Sequence, residues 1–288
     1  MIKNRFFRKS IIGLKQVPRM FYSSIAHDED YVEYPPILCN SFPKSGSHLL
    51  SSILSVIPGV KNFGTVTNSL TSFFDSVPNT KEDIQRQLGH LAPGEMAVGH
   101  LFHDTSYTPL LQSKNVVHYF IYRDLRDVVI SEAYDIAFTH SWHKLHKYFK
   151  LLRDMEERIA FTIKGSTTNF SYNYPNIDQR FQSYKNWIMD KNVFPIRFED
   201  LLGEKRIHTV SQLIDFYLSR TSRKLDNTAL IAQALKVIDS QNAHLFMQNK
   251  VSIWQQKLSI YQKQHFAEIA GDLLIELGYE DNQEWVNK

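Results

Sequence analysis

The chain has 288 residues, 43% hydrophobic and 22% charged, with a formal net charge of +3 at pH 7. That balance allows one large α/β core, sets two domains as the upper bound and excludes a disordered chain, and the charge is too small to imply a nucleic-acid partner. The single cysteine, Cys39, excludes a disulfide framework and any cysteine-based zinc site, and favours a reducing, cytoplasmic setting.

Residues 1–25 carry Lys3, Arg5, Arg8, Lys9, Lys15 and Arg19 with no acid before Asp28, and apolar residues are interspersed among them. Residues 1–30 read as a basic arm packed loosely on a domain spanning 31–288. The alternative reading is a peripheral membrane contact or an organelle-targeting segment, since a secretory signal would need an apolar core and a small-residue cleavage site. No stretch is long and apolar enough to span a bilayer.

After Pro35-Pro36, Ile37-Leu38-Cys39 predicts a buried strand. A turn of small residues follows, and Leu49, Leu50, Ile53, Leu54 and Ile57 repeat at helical spacing until Pro58-Gly59. Met96-Ala97-Val98 predicts a second strand ending at Gly99-His100. Val116 to Tyr122 predicts a third, leading through Arg123-Asp124 into a helix with Val128, Val129 and Ala133. Ile196 to Phe198 predicts a fourth, with Pro195 at its first position. One helix is expected over 134–150, a surface loop over 164–178, and a last helix whose stripe of Phe266, Ile269, Leu273, Leu274 and Leu277 closes at Gly278. Strands alternating with helices predict a single α/β domain, a central parallel sheet flanked by helices.

Ser41-Phe42-Pro43-Lys44-Ser45-Gly46-Ser47-His48 lies where the first strand hands over to a helix, an arrangement that points backbone amides at a phosphate. Gly46 permits close approach, Ser45 and Ser47 offer hydroxyls and Lys44 a mobile positive charge. The nucleoside-triphosphatase loop is different: its lysine follows the last glycine and its first glycine comes five residues earlier, where this chain has none.

The segment Pro43-Lys44-Ser45-Gly46-Ser47 resembles the 5′-phosphosulfate loop of the sulfotransferases that use 3′-phosphoadenosine 5′-phosphosulfate (PAPS). Tyr122-Arg123-Asp124-Leu125-Arg126-Asp127-Val128-Val129-Ile130-Ser131 resembles that family's 3′-phosphate segment, with arginine and serine eight residues apart. Arg197-Phe198-Glu199-Asp200-Leu201 and the run from Phe266 to Tyr279 are similar to two further family segments, so the resemblance covers about residues 36–280. It implies a P-loop-like sulfotransferase fold and transfer of a sulfuryl group from PAPS to an acceptor hydroxyl, leaving adenosine 3′,5′-bisphosphate (PAP), with no metal. Lys44 would stabilise the leaving phosphate, and Ser45, Gly46, Ser47 and His48 belong to the loop that holds it. Arg123 and Ser131 would bind the 3′-phosphate, and His100 would be the general base with His103 its competitor.

Three departures stand beside the match. The family's adenine-stacking tryptophan falls at Leu49, a frequent lysine two residues before the base is Val98, and an Arg-Lys-Gly clamp aligns with Met247-Gln248-Asn249, next to Lys250, which is the candidate substitute. A non-catalytic member that binds nucleotide or a sulfated ligand, and a kinase-like phosphotransferase, are therefore kept as alternatives. Arg126 and Asp127 are expected in a surface ion pair. His140, His143 and His146 recur every three residues, but no carboxylate is spaced to complete a tetrahedral metal site, so this stretch is read as a solvated or pocket-lining helix, which with Tyr134, Phe138, Tyr148 and Phe149 would wall the acceptor site. A glycan, a lipid, a small alcohol or a phenol would suit such a pocket, and the sequence does not encode an oligomeric state.

Overall fold

The apolar runs at 37–41 and 117–122 are buried on both faces, which is why they read as continuous rather than alternating. The computed structural model describes residues 19, 22–70, 78–141, 143, 145–166, 174–244 and 251–287. Its five strands are β1 (Ile37–Ser41), β2 (Val66–Asn68), β3 (Met96–His100), β4 (Val117–Tyr122) and β5 (Val193–Arg197). All run parallel, in the order β2-β3-β1-β4-β5.

Leu38, Phe120 and Tyr122 face one core, built with the helices Leu125–Tyr134, Met155–Lys164, Ile177–Lys185 and Ile260–Glu276. Ile37, Cys39, Tyr119 and Ile121 face the other, built with the helices Ser47–Leu54, Arg206–Leu218 and Asn227–His244. Burial pushes the Cys39 thiol far up, so it stays a protonated packing group.

Three local expectations change. β2 was not foreseen: it is three residues long, sits on the sheet edge, and its Val66 is exposed, so it carries no periodic signal. β5 starts earlier than expected and includes Pro195 opposite Phe120, a place open to proline because β5 is the other edge. The single helix expected over 134–150 is broken. The helix Leu125–Tyr134 widens into a π turn at Asp135–Thr139, and a separate short helix spans His146–Leu151. Two bonds account for the break: the His140 N–H reaches back to the Asp135 carbonyl (3.0 Å), and His146 Nδ1 bonds the Ile136 carbonyl (2.7 Å). Within 164–178, Ser166 and Tyr174 pair as an antiparallel bridge and a helix starts at Ile177; residues 167–173 lie outside the described residues.

Of the basic arm, Arg19 is tied down. Its Nε donates to the buried Glu95 carboxylate (2.8 Å), which also accepts the Ala92 N–H (2.8 Å). This contact lies at the start of β3, the end opposite His100. Residues 1–18, where the rest of the basic run falls, lie outside the described residues. Among the described residues no helix is long and apolar enough to cross a membrane.

Among the described glycines, the one with least room for a side chain is Gly99. A Cβ there would lie 1.9 Å from the Thr67 carbonyl oxygen, so β2 can pair with β3 only past a glycine. Gly99→Ala is expected to cost about 3 kcal/mol through forced backbone displacement, read as a lower urea midpoint at unchanged slope. An unchanged midpoint would show that β2 does not need this contact.

Candidate functional site

Parallel strands end together, and register places Ser41, His100 and Tyr122 along one edge of the sheet. Chain leaving β1 stays paired for one more residue, the Phe42 N–H donating to the Ile121 carbonyl (3.0 Å), and then turns back. Lys44 (φ 65°) and Gly46 (φ 97°) make that turn in the left-handed region. A Cβ on Gly46 would stand 2.5 Å from the Phe198 ring, so conformation and contact both demand glycine.

Gly46 caps the helix Ser47–Leu54 with no side-chain hydrogen bond, and no acid lies in the helix's first turn. The first-turn amides therefore lack intrahelical acceptors and present positive charge to the loop. Ser45 Oγ is buried with no hydrogen-bond partner among the described residues, Ser47 is half-buried and His48 exposed. A buried unsatisfied hydroxyl, unmatched amides and an ammonium lie together on one turn, a donor set of the kind that suits an anion. Lys44 Nζ sits 2.6 Å from Asp135 Oδ2.

The end of β3 is clamped. The His100 N–H donates to Asn68 Oδ1 (2.8 Å) and the Leu101 N–H to Asn40 Oδ1 (2.8 Å). His100 Nδ1 lies 2.9 Å from the Ser41 carbonyl and 3.0 Å from Ser41 Oγ. With Nδ1–H donating to that carbonyl, Nε2 carries the lone pair, the form a general base requires. Burial, aided by the charges of His48 and Lys44, holds this imidazole below the ordinary histidine value, against the opposing pull of the Ser41 carbonyl. His100 lines a small cavity with Asn68, Leu70 and Tyr184. His103 is packed edge-on against Trp187, ring centroids 4.6 Å apart.

At the end of β4, Arg123 is buried, its guanidinium 4.7 Å above the Phe198 ring and 3.4 Å from Asp127 Oδ2. Phe198 thus touches Gly46 and Arg123 together and fixes their spacing. Ser131 is half-buried in the second turn of the helix that Asp124 caps. Arg126 and Asp127, expected in a surface ion pair, are both buried and pair with other residues. Arg126 pairs with Asp124 (2.7 Å) and Glu280 (2.6 Å) and stands 3.7 Å over Trp254. Asp127 accepts the N–H groups of Ser252 (2.8 Å) and Trp254 (3.0 Å), and burial pushes its carboxyl up to about 6 despite Arg123. Asp127 therefore ties down the chain just after Lys250; Lys250 itself and 247–249 lie outside the described residues.

Glu199 joins the later segments to this edge: its carboxylate accepts the Asp124 N–H (3.0 Å) and the Tyr279 hydroxyl (2.9 Å). Leu49, in the tryptophan position, is a core residue. His140 pairs with Asp135 (2.8 Å), His143 Nδ1 accepts the Leu145 N–H (3.0 Å) and His146 holds Ile136; among the described residues no three metal-binding side chains converge. Sequence reasoning missed two contributors. Phe198 lies in a segment it quoted, but nothing local says that the ring faces Gly46. Asp135 has no signal of its own.

A sulfotransferase-domain family model matches residues 35–278. Among solved structures, mouse sulfotransferase SULT7A1 in complex with PAP shares the fold, with a TM-score of 0.57 and 14% identity over 91% of this chain and 89% of that one. No curated protein matches the sequence.

Because the folded protein resists a proton at His100 that the unfolded chain accepts near 6.5, acidification below that value favours unfolding through this group. Histidine-labelled NMR is expected to show the His100 ring titrating below 6.5. A midpoint at or above 6.5 would contradict the burial argument.

Proposed function

The chain belongs to the sulfotransferase family, and on that premise we propose that it transfers the sulfuryl group of PAPS to an acceptor hydroxyl. The observation that carries the proposal is the convergence, on one sheet edge, of the Lys44–Ser47 donor set, the Arg123 guanidinium and the His100 imidazole.

PAPS supplies an activated sulfuryl group on a phosphate leaving group, and the unsatisfied Ser45 hydroxyl and the uncapped first turn after Gly46 fit such an anion. Lys44 stabilises the charge that builds on the leaving phosphate, aided by the amides and hydroxyls of Ser45, Gly46 and Ser47, with His48 at the rim of the loop. Arg123, with Ser131 on the following helix, binds the 3′-phosphate. Lys250 adds a second cation, a role supported by the Asp127 tether that holds the following residues beside Arg123. His100 Nε2 takes the acceptor's proton as the oxygen attacks. The acceptor enters beside His100, against the wall formed by the 134–150 segment.

Residues 31–288 form the catalytic domain in this reading, with residues 1–30 an arm that Arg19 anchors. The matching location is the cytoplasm, and a peripheral membrane contact would run through the arm.

Calorimetry should show PAP binding more tightly than adenosine 5′-phosphate and than ATP with magnesium. A preference for ATP with magnesium, or no PAP binding, would reject the reading. Arg123→Ala is expected to weaken PAP by about 10–100-fold through loss of a charged hydrogen bond; unchanged affinity would remove Arg123 from the 3′-phosphate site. His100→Ala should lower turnover of labelled PAPS by about 10²–10⁴-fold with PAP binding retained, whereas full activity would move the base elsewhere.

A further inference from the structure

The anion loop's one lysine is held by an acid that the proposed reaction does not use. Asp135 Oδ2 is shared between Lys44 Nζ (2.6 Å) and His140 Nδ1 (2.8 Å), and no donor to Oδ1 is found among the described residues. The side chain is only 14% exposed. The charged or titratable groups that act on neighbouring His143 are Asp135, His140, His146 and Lys44, and Asp135 is the one acid in that set. The residue opens a π turn, a rare geometry concentrated at functional sites. Flanking it on the same segment are two exposed rings, Tyr134 and Phe138, with centroids 5.9 Å apart.

A phosphosulfate bound at the loop needs Lys44 for itself. Of its partners among the described residues, Asp135 would then keep only His140, and would face a second anion with its own carboxylate mostly covered. Removing the ammonium from a mostly covered carboxylate is unfavourable, and a second cation would restore what is lost. A neutral hydroxyl acceptor cannot. An acceptor carrying its own ammonium can, and the two exposed aromatic rings on the same segment suit an alkylammonium group. Phe138 already lies within 5.7 Å of the Arg158 guanidinium, which shows that this ring accepts a cation.

We propose that Asp135 selects the acceptor: once the donor nucleotide engages Lys44, the Asp135 carboxylate receives an ammonium group on the hydroxyl-bearing substrate, whose class is therefore an amino alcohol. This rests on the sulfotransferase reading above.

The test uses two probes of equal length, 6-amino-1-hexanol and 1,6-hexanediol, titrated by NMR into the full-length protein saturated with PAP at low salt. The amino alcohol is expected to bind at least tenfold more tightly than the diol, and Asp135→Asn to erase the difference while still binding PAP. Equal affinity of the two probes for the PAP-loaded parent overturns the proposal, and so does a preference that survives Asp135→Asn. The comparison on the parent protein needs no variant, so it decides the matter even if Asp135→Asn fails to fold. Failure of PAP to bind the parent would reject the sulfotransferase reading and this inference with it; PAP binding without the probe preference rejects the inference alone.

Discussion

The site depends on strand register. β1 lies between β3 and β4, all parallel, and the ladder pairs Asn40 with Gly99 and Ser41 with Ile121. That alignment lets the Ser41 carbonyl reach the His100 ring and carries the chain leaving β1 onto the end of β4. A slip of one residue would turn Ile37 and Cys39 into the opposite core and separate Ser41 from His100. Two cores pressed on the sheet make such a slip costly, so packing far from the site sets its geometry.

From that edge, two residues of the 197–201 segment build the second level of order. Phe198 gives Gly46 its neighbour and Arg123 its platform, while Glu199 holds the Asp124 amide and the Tyr279 hydroxyl. Three stretches distant in sequence are thereby joined through one short 3₁₀ turn. Such a buried, fully bonded carboxylate would cost far more to leave unpaired than it contributes when paired, which makes the arrangement specific more than strong.

The fold was largely legible because the strands that matter are long apolar runs between turn residues, and the loop at 41–48 announces itself by its small residues and lysine. What was not legible is tertiary. β2 has three residues and an exposed valine, so periodicity cannot find it. Apolar and aromatic residues at 134–150 read as one helix, since the His140 and His146 bonds that break it are made only after folding. Arg126 and Asp127 looked like a surface pair because charge spacing says nothing about two tryptophans and a returning chain covering them. Motif and position single out His100 and Arg123 as candidates, whereas a lone aspartate after a tyrosine, Asp135, carries no signal.

Its two principal cations are each held by one carboxylate, and the two holds are unequal. Arg123 and Asp127 are both buried at 3.4 Å, and Asp127 keeps two backbone N–H bonds whether or not Arg123 turns to a ligand. Lys44 and Asp135 are closer, at 2.6 Å, and among the described residues Asp135 has only His140 behind it. Arg123 can therefore engage an anion without orphaning a carboxylate, whereas Lys44 cannot. Coulomb attraction at such distances is strong in a partly buried site, so a ligand must displace the Lys44 contact while it merely adds to that of Arg123. Both cations are paired locally, in keeping with a net charge of only +3.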